Sequence, residues 1–162
     1  MTIRNAKQSD VMQISEIILD DWQIAYRGII DSDYLDSLKI EDRYSLEINR
    51  YQKYIVAECD GQVVGCAWLE NTNDKNADCE VIALYVRCES RGNGIGKALL
   101  QHAMEYFKNN NKKSMIIWCL KDNVEARKFY EKMGGKELTY GTHRWGSKDY
   151  DMVAYQYDLQ VF

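Results

Sequence analysis

Proline is missing from this chain of 162 residues, and the only histidines are His102 and His143. The five cysteines form no CxxC pair and are Cys59, Cys66, Cys79, Cys88 and Cys119. Protein metal sites usually need clustered cysteine and histidine ligands, and this distribution therefore predicts no metal. Each cysteine lies in or beside an apolar run, which is typical of free buried thiols in a reducing compartment.

Long apolar runs and a surplus of positive charge are also absent. No segment approaches the roughly 18 apolar residues of a membrane-spanning helix. The first residues lead into a polar helical pattern instead of the apolar core of a signal peptide. The formal net charge is -4, whereas nucleic-acid binders normally carry a basic patch. We therefore expect a cytoplasmic protein with neither a membrane nor a nucleic acid as its partner.

The apolar content, 46% of the residues, is enough to fill the core of a single domain spanning residues 1–162. Helical periodicity is clearest at residues 94–110 and 123–133, and the pair Asp60-Gly61 between two strand-like runs predicts a hairpin. The predicted order is a strand, several helices, a hairpin, a strand, a helix, a strand, a helix and two final strands. This order predicts one mixed α/β domain.

A glycine-rich turn separates an apolar strand from the helix at residues 94–110. Its sequence is Arg91-Gly92-Asn93-Gly94-Ile95-Gly96, followed by Lys97. Glycine lets the backbone approach a ligand closely, and a helix N-terminus offers unpaired N–H groups and partial positive charge. Together they predict a site for phosphate or pyrophosphate, although a simple tight turn would also need glycine. The spacing matches neither the dinucleotide-binding motif nor the Walker motif.

At every fixed position this turn resembles [QR]-x-x-G-x-[GA], the coenzyme motif of the GNAT superfamily of N-acetyltransferases. The flanking residues 80–86 and 97–100 agree, residues 123–134 resemble the second coenzyme motif, and residues 22–35 resemble one bacterial branch. The resemblance implies a mixed α/β fold with a mostly antiparallel sheet of about seven strands, flanked by helices and splayed at the coenzyme site. It also implies acetyl-CoA as co-substrate and allows a homodimer.

The resemblance assigns coenzyme-binding roles to particular residues. A strand backbone would pair with the amides of the pantetheine arm, the glycine turn would hold the pyrophosphate, and the Asn123 amide would bind nearby. The same residues also fit purely structural roles, such as core packing or a helix cap for Asn123. The expected coenzyme-binding residues are Leu84, Tyr85, Val86, Arg91, Gly92, Asn93, Gly94, Ile95, Gly96, Lys97 and Asn123.

Tyr130 and Glu80 are the catalytic candidates. By resemblance Tyr130 faces the thioester sulfur, where a phenol of pKa ~10 can protonate the departing thiolate. A core tyrosine would occupy the same buried helix stripe. Glu80 could relay the proton that an amine of pKa ~10.4 must lose, or bind a cationic acceptor. Strand alternation predicts that Glu80 shares a face with Leu84 and Val86, whereas a solvated strand start would leave it without either role.

The acceptor side is expected to involve Trp22, Tyr26 and Glu80, with Trp145 as a further candidate. The acidic segment at residues 31–42 resembles a wall of the acceptor pocket and favours a cationic acceptor such as a polyamine, an aminoglycoside or a lysine side chain. A solvated helix face is the alternative explanation. The predicted function is direct transfer of the acetyl group from acetyl-CoA to a small-molecule primary amine in a ternary complex. The alternatives are an acyl-CoA-binding sensor or scaffold without turnover, and an unrelated nucleotide-binding protein.

Overall fold

The computed structural model describes residues 1–162. Seven strands form the sheet: β1 (Thr2–Asn5), β2 (Tyr54–Cys59), β3 (Gln62–Asn71), β4 (Cys79–Val86), β5 (Ser114–Leu120), β6 (Lys136–Trp145) and β7 (Lys148–Asp158). Five α-helices accompany them: α1 (Val11–Ala25), α2 (Ser32–Ser37), α3 (Ile40–Glu47), α4 (Ile95–Asn109) and α5 (Val124–Lys132). The predicted mixed α/β fold is confirmed. None of the helices is both long and apolar enough to cross a membrane.

Local sequence accounts for two of the hairpins of the sheet. Asp60 and Gly61 join β2 to β3 with φ values of 51° and 79°, as the predicted two-residue turn requires. The two final strands form a second hairpin, in which β6 continues to Trp145 before the chain turns at Gly146. Trp145 therefore lies at the tip of a hairpin.

The spatial order of the strands is β1-β2-β3-β4-β5-β7-β6. Helices α4 and α5 cover one face of this sheet, which we call the α4 side, and α1 and α2 cover the other, the α1 side. Each face has its own apolar core. The α4-side core includes Leu99, Val81 and Tyr155, and the α1-side core includes Ile17 and Leu35.

The sheet opens between β4 and β5. All neighbouring strands are antiparallel except this pair, which runs parallel and pairs only at residues 79–81 with residues 115–117. On its other edge β4 pairs with β3 up to Val86, with a bulge at Ile82. β-Bulges bend a strand and increase its twist, and here the bulge lies where β4 leaves β5. The predicted splay of the sheet is therefore confirmed.

Leu99 tests the assignment of the α4-side core. It is 0% exposed, and we expect Leu99→Ala to lower the free energy of unfolding by about 2–5 kcal/mol, because the lost methyl groups leave a cavity. Leu46→Ala is the matched control, since Leu46 is 52% exposed and its loss should change stability by about 0.5 kcal/mol or less. Urea unfolding measures both variants, and similar losses in the two would contradict this core assignment.

Candidate active site

A cavity of about 560 Å³ passes through the gap between β4 and β5. Its wall contains residues from both sides of the sheet, because the gap joins the two faces. The α4 side contributes the glycine turn, Asn123, Phe129 and Tyr130, and the α1 side contributes Asp21, Trp22, Tyr26 and Trp145. Two ligands could therefore enter from opposite faces and meet at the gap.

The glycine turn forms a cradle of unpaired N–H groups. No backbone N–H of residues 92–97 donates to an acceptor within the protein, and the first helical bond of α4 runs from the Ala98 N–H to the Gly94 carbonyl at 3.0 Å. Gly92 and Gly94 have φ values of 78° and 77°, a left-handed conformation that side chains disfavour. A row of free donors at a helix N-terminus suits a pyrophosphate.

The residues of the glycine turn differ in whether they line the cavity. Arg91, Gly92, Gly94, Ile95, Gly96 and Lys97 all line the cavity. Asn93 does not, because its side chain turns back and donates to the Ser90 carbonyl at 3.3 Å. The positive side chains that the turn contributes to the cavity wall are therefore Arg91 and Lys97, and α5 adds Lys132.

Asn123 has two separate roles available to it. Its Oδ1 accepts the Ala126 N–H at 3.2 Å and caps α5. The helix cap that was expected as one role of Asn123 is therefore present. Its Nδ2 makes no hydrogen bond within the protein while the residue lines the cavity. The cap and a ligand contact can therefore coexist in one side chain.

The unpaired end of β4 forms one wall of the gap. Leu84, Tyr85 and Val86 all line the cavity, and none of them pairs with β5. Because an antiparallel strand uses the peptide groups of alternate residues on each edge, those not bonded to β3 face the gap. A ligand with amide groups can bind there like an additional strand.

Tyr130 lies in the cavity wall on the α4 side and is almost fully buried. Its hydroxyl makes no hydrogen bond within the protein, whereas its carbonyl accepts the Tyr157 hydroxyl at 2.9 Å. Burial raises the pKa of the Tyr130 phenol well above its ordinary value, and the nearby acidic groups of Cys119, Tyr157, Tyr85 and Asp21 add to this effect. The phenol is therefore protonated at neutral pH and free to donate into the cavity.

Aromatic rings form the α1-side end of the cavity. The Trp22 ring packs edge-on against Tyr26 at 5.1 Å and Trp145 at 5.6 Å between centroids. The Trp22 Nε1–H also donates to the Tyr85 hydroxyl at 2.9 Å, which ties α1 to β4. An ion pair between Lys148 and Asp31 at 2.6 Å holds the tip of the β6–β7 hairpin, which carries Trp145. The rings are therefore fixed by α1, β4 and this hairpin.

Asp21 is a cavity residue that sequence reasoning missed. It lies on the apolar face of α1, at helical spacing from the buried Ile14, Ile17 and Ile18, and a carboxylate in that position was the available signal. It forms an ion pair with Arg91. Burial raises the pKa of its carboxyl to about 6, although the Arg91 charge opposes that rise. At neutral pH Asp21 is therefore mostly ionised, and the charge of Arg91 offsets only part of the cost of burying it.

Comparison with known proteins identifies the family of this chain. The model of the acetyltransferase (GNAT) family matches residues 12–135. The chain belongs to that family. The predicted GNAT resemblance and the acetyl-CoA-dependent N-acetyltransferase class are thereby confirmed.

Individual relatives cover most of this GNAT chain. A probable N-acetyltransferase of Mycobacterium tuberculosis is 31% identical, covering 80% of this chain and 76% of that protein. A spermidine N(1)-acetyltransferase of Thermoplasma acidophilum is 28% identical over 92% of this chain and 97% of that protein. The structure of a PaiA N-acetyltransferase from the same organism, in complex with coenzyme A, superposes with a TM-score of 0.73 at 25% identity, covering 94% and 96% of the two chains.

Glu80 does not line the cavity of this GNAT domain. The bulge at Ile82 shifts the alternation of β4, so that Glu80 lies opposite Glu70 and shares its face with Ala83 and Tyr85. The expectation that it shares a face with Leu84 and Val86 was wrong for this reason. Burial raises the pKa of the Glu80 carboxyl, and a hydrogen bond with Thr72 opposes the rise.

The acidic segment at residues 31–42 also lies outside the cavity wall. Asp31 pairs with Lys148, and Asp36 pairs with Arg27 at 2.5 Å. The remaining acidic residues of the segment are exposed to solvent. The expectation that it forms the acceptor wall was therefore wrong, and the solvated helix face describes it better. The carboxylate that lines the α1-side end of the cavity is Asp21 of α1.

Gly94→Ala and Gly61→Ala form a matched test of the cradle. Both glycines have φ near +80°, and an added Cβ would meet no atom within 4 Å at either position. We expect each variant to lose about 1–2 kcal/mol of stability through backbone strain. Only Gly94→Ala should weaken coenzyme A binding, by about 10- to 100-fold, because a phosphate hydrogen bond is disturbed. Thermal unfolding and calorimetry measure the two effects, and equal coenzyme affinity would contradict the cradle.

Proposed function

We propose that this protein transfers the acetyl group of acetyl-CoA to the primary amine of a small cationic acceptor, by direct attack in a ternary complex. The supporting observation is the cavity through the sheet. Its α4 side carries unpaired backbone N–H groups of the kind that bind phosphate, and its α1 side ends in aromatic rings and one carboxylate. Donor and acceptor would then meet at the gap between β4 and β5, without a covalent enzyme intermediate.

The donor would be held along the α4 side. The N–H groups of residues 92–97 would bind the pyrophosphate, with Arg91 and Lys97 adding charge. The free peptide groups near Leu84 and Val86 would bind the pantetheine amides, and the Asn123 Nδ2 would donate to the same arm. These contacts fix the thioester beside Tyr130, and positioning of this kind removes much of the entropic part of the barrier.

In the transfer step the amine nitrogen forms a bond to the thioester carbonyl carbon, and the carbon–sulfur bond breaks. The electron pair of that bond leaves with sulfur, and the Tyr130 hydroxyl supplies the proton that makes it a thiol. The amine loses one proton, which replaces the one taken from Tyr130 directly or through solvent. The products are an N-acetyl amide and free coenzyme A.

The acceptor amine must be neutral when it attacks. An ammonium has pKa ~10.4 in water, and burial in a largely apolar cavity lowers that pKa by disfavouring the charged form. The aromatic end formed by Trp22, Tyr26 and Trp145 provides such surroundings. The proposed contribution of Glu80 to proton removal would have to pass through water, because its side chain is outside the cavity wall.

Two observations favour a cationic acceptor. Asp21 brings a negative charge into the α1-side end of the cavity. The relative named spermidine N(1)-acetyltransferase is similar over almost the full length of both chains. We therefore propose amines that carry further positive charge, of which polyamines are one class.

Tyr130→Phe tests the proposed acid. We expect kcat to fall by about 10²- to 10⁴-fold, since the departing thiolate loses its proton donor. The Tyr130 hydroxyl has no partner in the protein, so the melting temperature and coenzyme A affinity should stay close to those of the wild type. Thiol release from acetyl-CoA, followed across a panel of primary amines, measures the rate.

Tyr106→Phe is the control, because Tyr106 is exposed on α4 and does not line the cavity. It should keep the wild-type rate. A wild-type rate in Tyr130→Phe would remove Tyr130 from the acid role. Coenzyme A binding without turnover on any amine would instead favour the non-catalytic binding protein.

A further inference from the structure

Asp21 occupies an unusual position for a carboxylate. Its side chain is 13% exposed, and it lines the α1-side part of the cavity together with Trp22 and Tyr26. The only other acidic residue in the wall is Glu125, which is exposed in the first turn of α5 on the coenzyme side. Asp21 is therefore the single carboxylate at the acceptor end of the cavity.

The present partner of Asp21 is Arg91, the first residue of the glycine turn. The Arg91 Nη2 donates to Oδ1 of Asp21, and Oδ2 has no hydrogen-bond donor in the protein. Arg91 is otherwise held only by a 3.4 Å contact from its Nε to the Val86 carbonyl. Its side chain is 40% exposed, and a long side chain with one exposed ion pair can turn to another anion.

The proposed pyrophosphate site begins at the residue after Arg91. A phosphate group competes well for an arginine, because it accepts two parallel charged hydrogen bonds. If Arg91 turns to the pyrophosphate, Asp21 is left as a largely buried carboxylate without a counter-charge. Such a group is unfavourable unless it is protonated or a new cation approaches it.

The surroundings of Asp21 suit an ammonium group on a short carbon chain. Tyr26 and Trp145 provide apolar ring surface for methylene groups and π-faces for the cation. The negative charge of Asp21 is felt by the phenols of Tyr26, Tyr85 and Tyr130, whose pKa values it raises after the larger effect of burial. Asp21 is thus close to the proposed reaction centre while remaining on the acceptor side.

We propose that Asp21 binds a second positive charge of the acceptor amine, and that coenzyme binding releases it for this role by drawing Arg91 to the pyrophosphate. The acceptor is then a diamine or polyamine whose other amine reacts. This role rests on the proposed function. It makes Asp21 a specificity-determining residue and implies that the coenzyme binds before the acceptor.

The kinetic test compares two amines of equal length, 1,4-diaminobutane and pentylamine, in which a methyl group replaces the second ammonium. The preference is the ratio of kcat/KM for the diamine to kcat/KM for pentylamine. We expect Asp21→Asn to reduce this ratio by about 10- to 100-fold, mainly by raising KM for the diamine. Asp20→Asn removes the same charge from the adjacent, exposed position outside the cavity wall. It should keep the wild-type preference.

A binding test needs no turnover. Calorimetry should show that 1,4-diaminobutane binds the coenzyme A-loaded protein more tightly than the free protein, by about 10-fold or more. In Asp21→Asn the diamine should bind the loaded and the free protein equally well. Coenzyme A itself should bind this variant as tightly as the wild type or more tightly, because Arg91 no longer has to leave Asp21.

The outcomes separate this role from the proposed function. An equal loss for both amines, or weaker coenzyme A binding in Asp21→Asn, would show that Asp21 only positions Arg91, and would overturn the role. Acetylation of other amines but not of 1,4-diaminobutane would also overturn it, while leaving the proposed function intact. If no amine is acetylated by the wild type, both proposals fail.

Discussion

The separation of β4 from β5 is the constraint on which the site depends. The two strands pair only at residues 79–81 and 115–117, and beyond that point the β4 backbone has a free edge inside the sheet. Unpaired peptide groups in a protein interior are unfavourable, so the open gap is stable only where water or a ligand supplies partners. A coenzyme arm rich in amides fits that requirement, and the same gap joins the two faces of the sheet.

The charges of the cavity are divided by this gap. Positive groups and free N–H donors gather at the N-terminus of α4, where the helix dipole also favours an anion. The acidic group Asp21 comes from α1 on the opposite face, and it meets Arg91 across the opening. An ion pair between the two halves can couple them, because an anion that takes Arg91 changes the electrostatic environment of Asp21. The proposed donor and acceptor sites are therefore linked by one contact.

The proposed chemistry of the gap follows from the burial of its side chains. Burial keeps Tyr130 protonated by raising its pKa, and the same burial favours the neutral form of an attacking amine. In the proposed reaction, proton transfer would then need little assistance from a strong base. The position of Glu80 outside the cavity wall is consistent with such a mechanism. Its structural cause is the bulge at Ile82.

Local patterns in the sequence determined much of this protein. The glycine turn, the hairpin at Asp60-Gly61, the amphipathic α4 and the Asn123–Tyr130 segment all depend on residues near one another in the chain, and their predictions agree with the structure. Tertiary structure decided what depends on distant residues. It decided the face on which Glu80 lies, because a bulge alters strand alternation. It also decided that the acidic side chains of residues 31–42 lie outside the cavity wall, where Asp31 pairs with Lys148, a residue remote in sequence. It also placed Asp21 beside Arg91, since only the packing of α1 across the open sheet brings these two residues together.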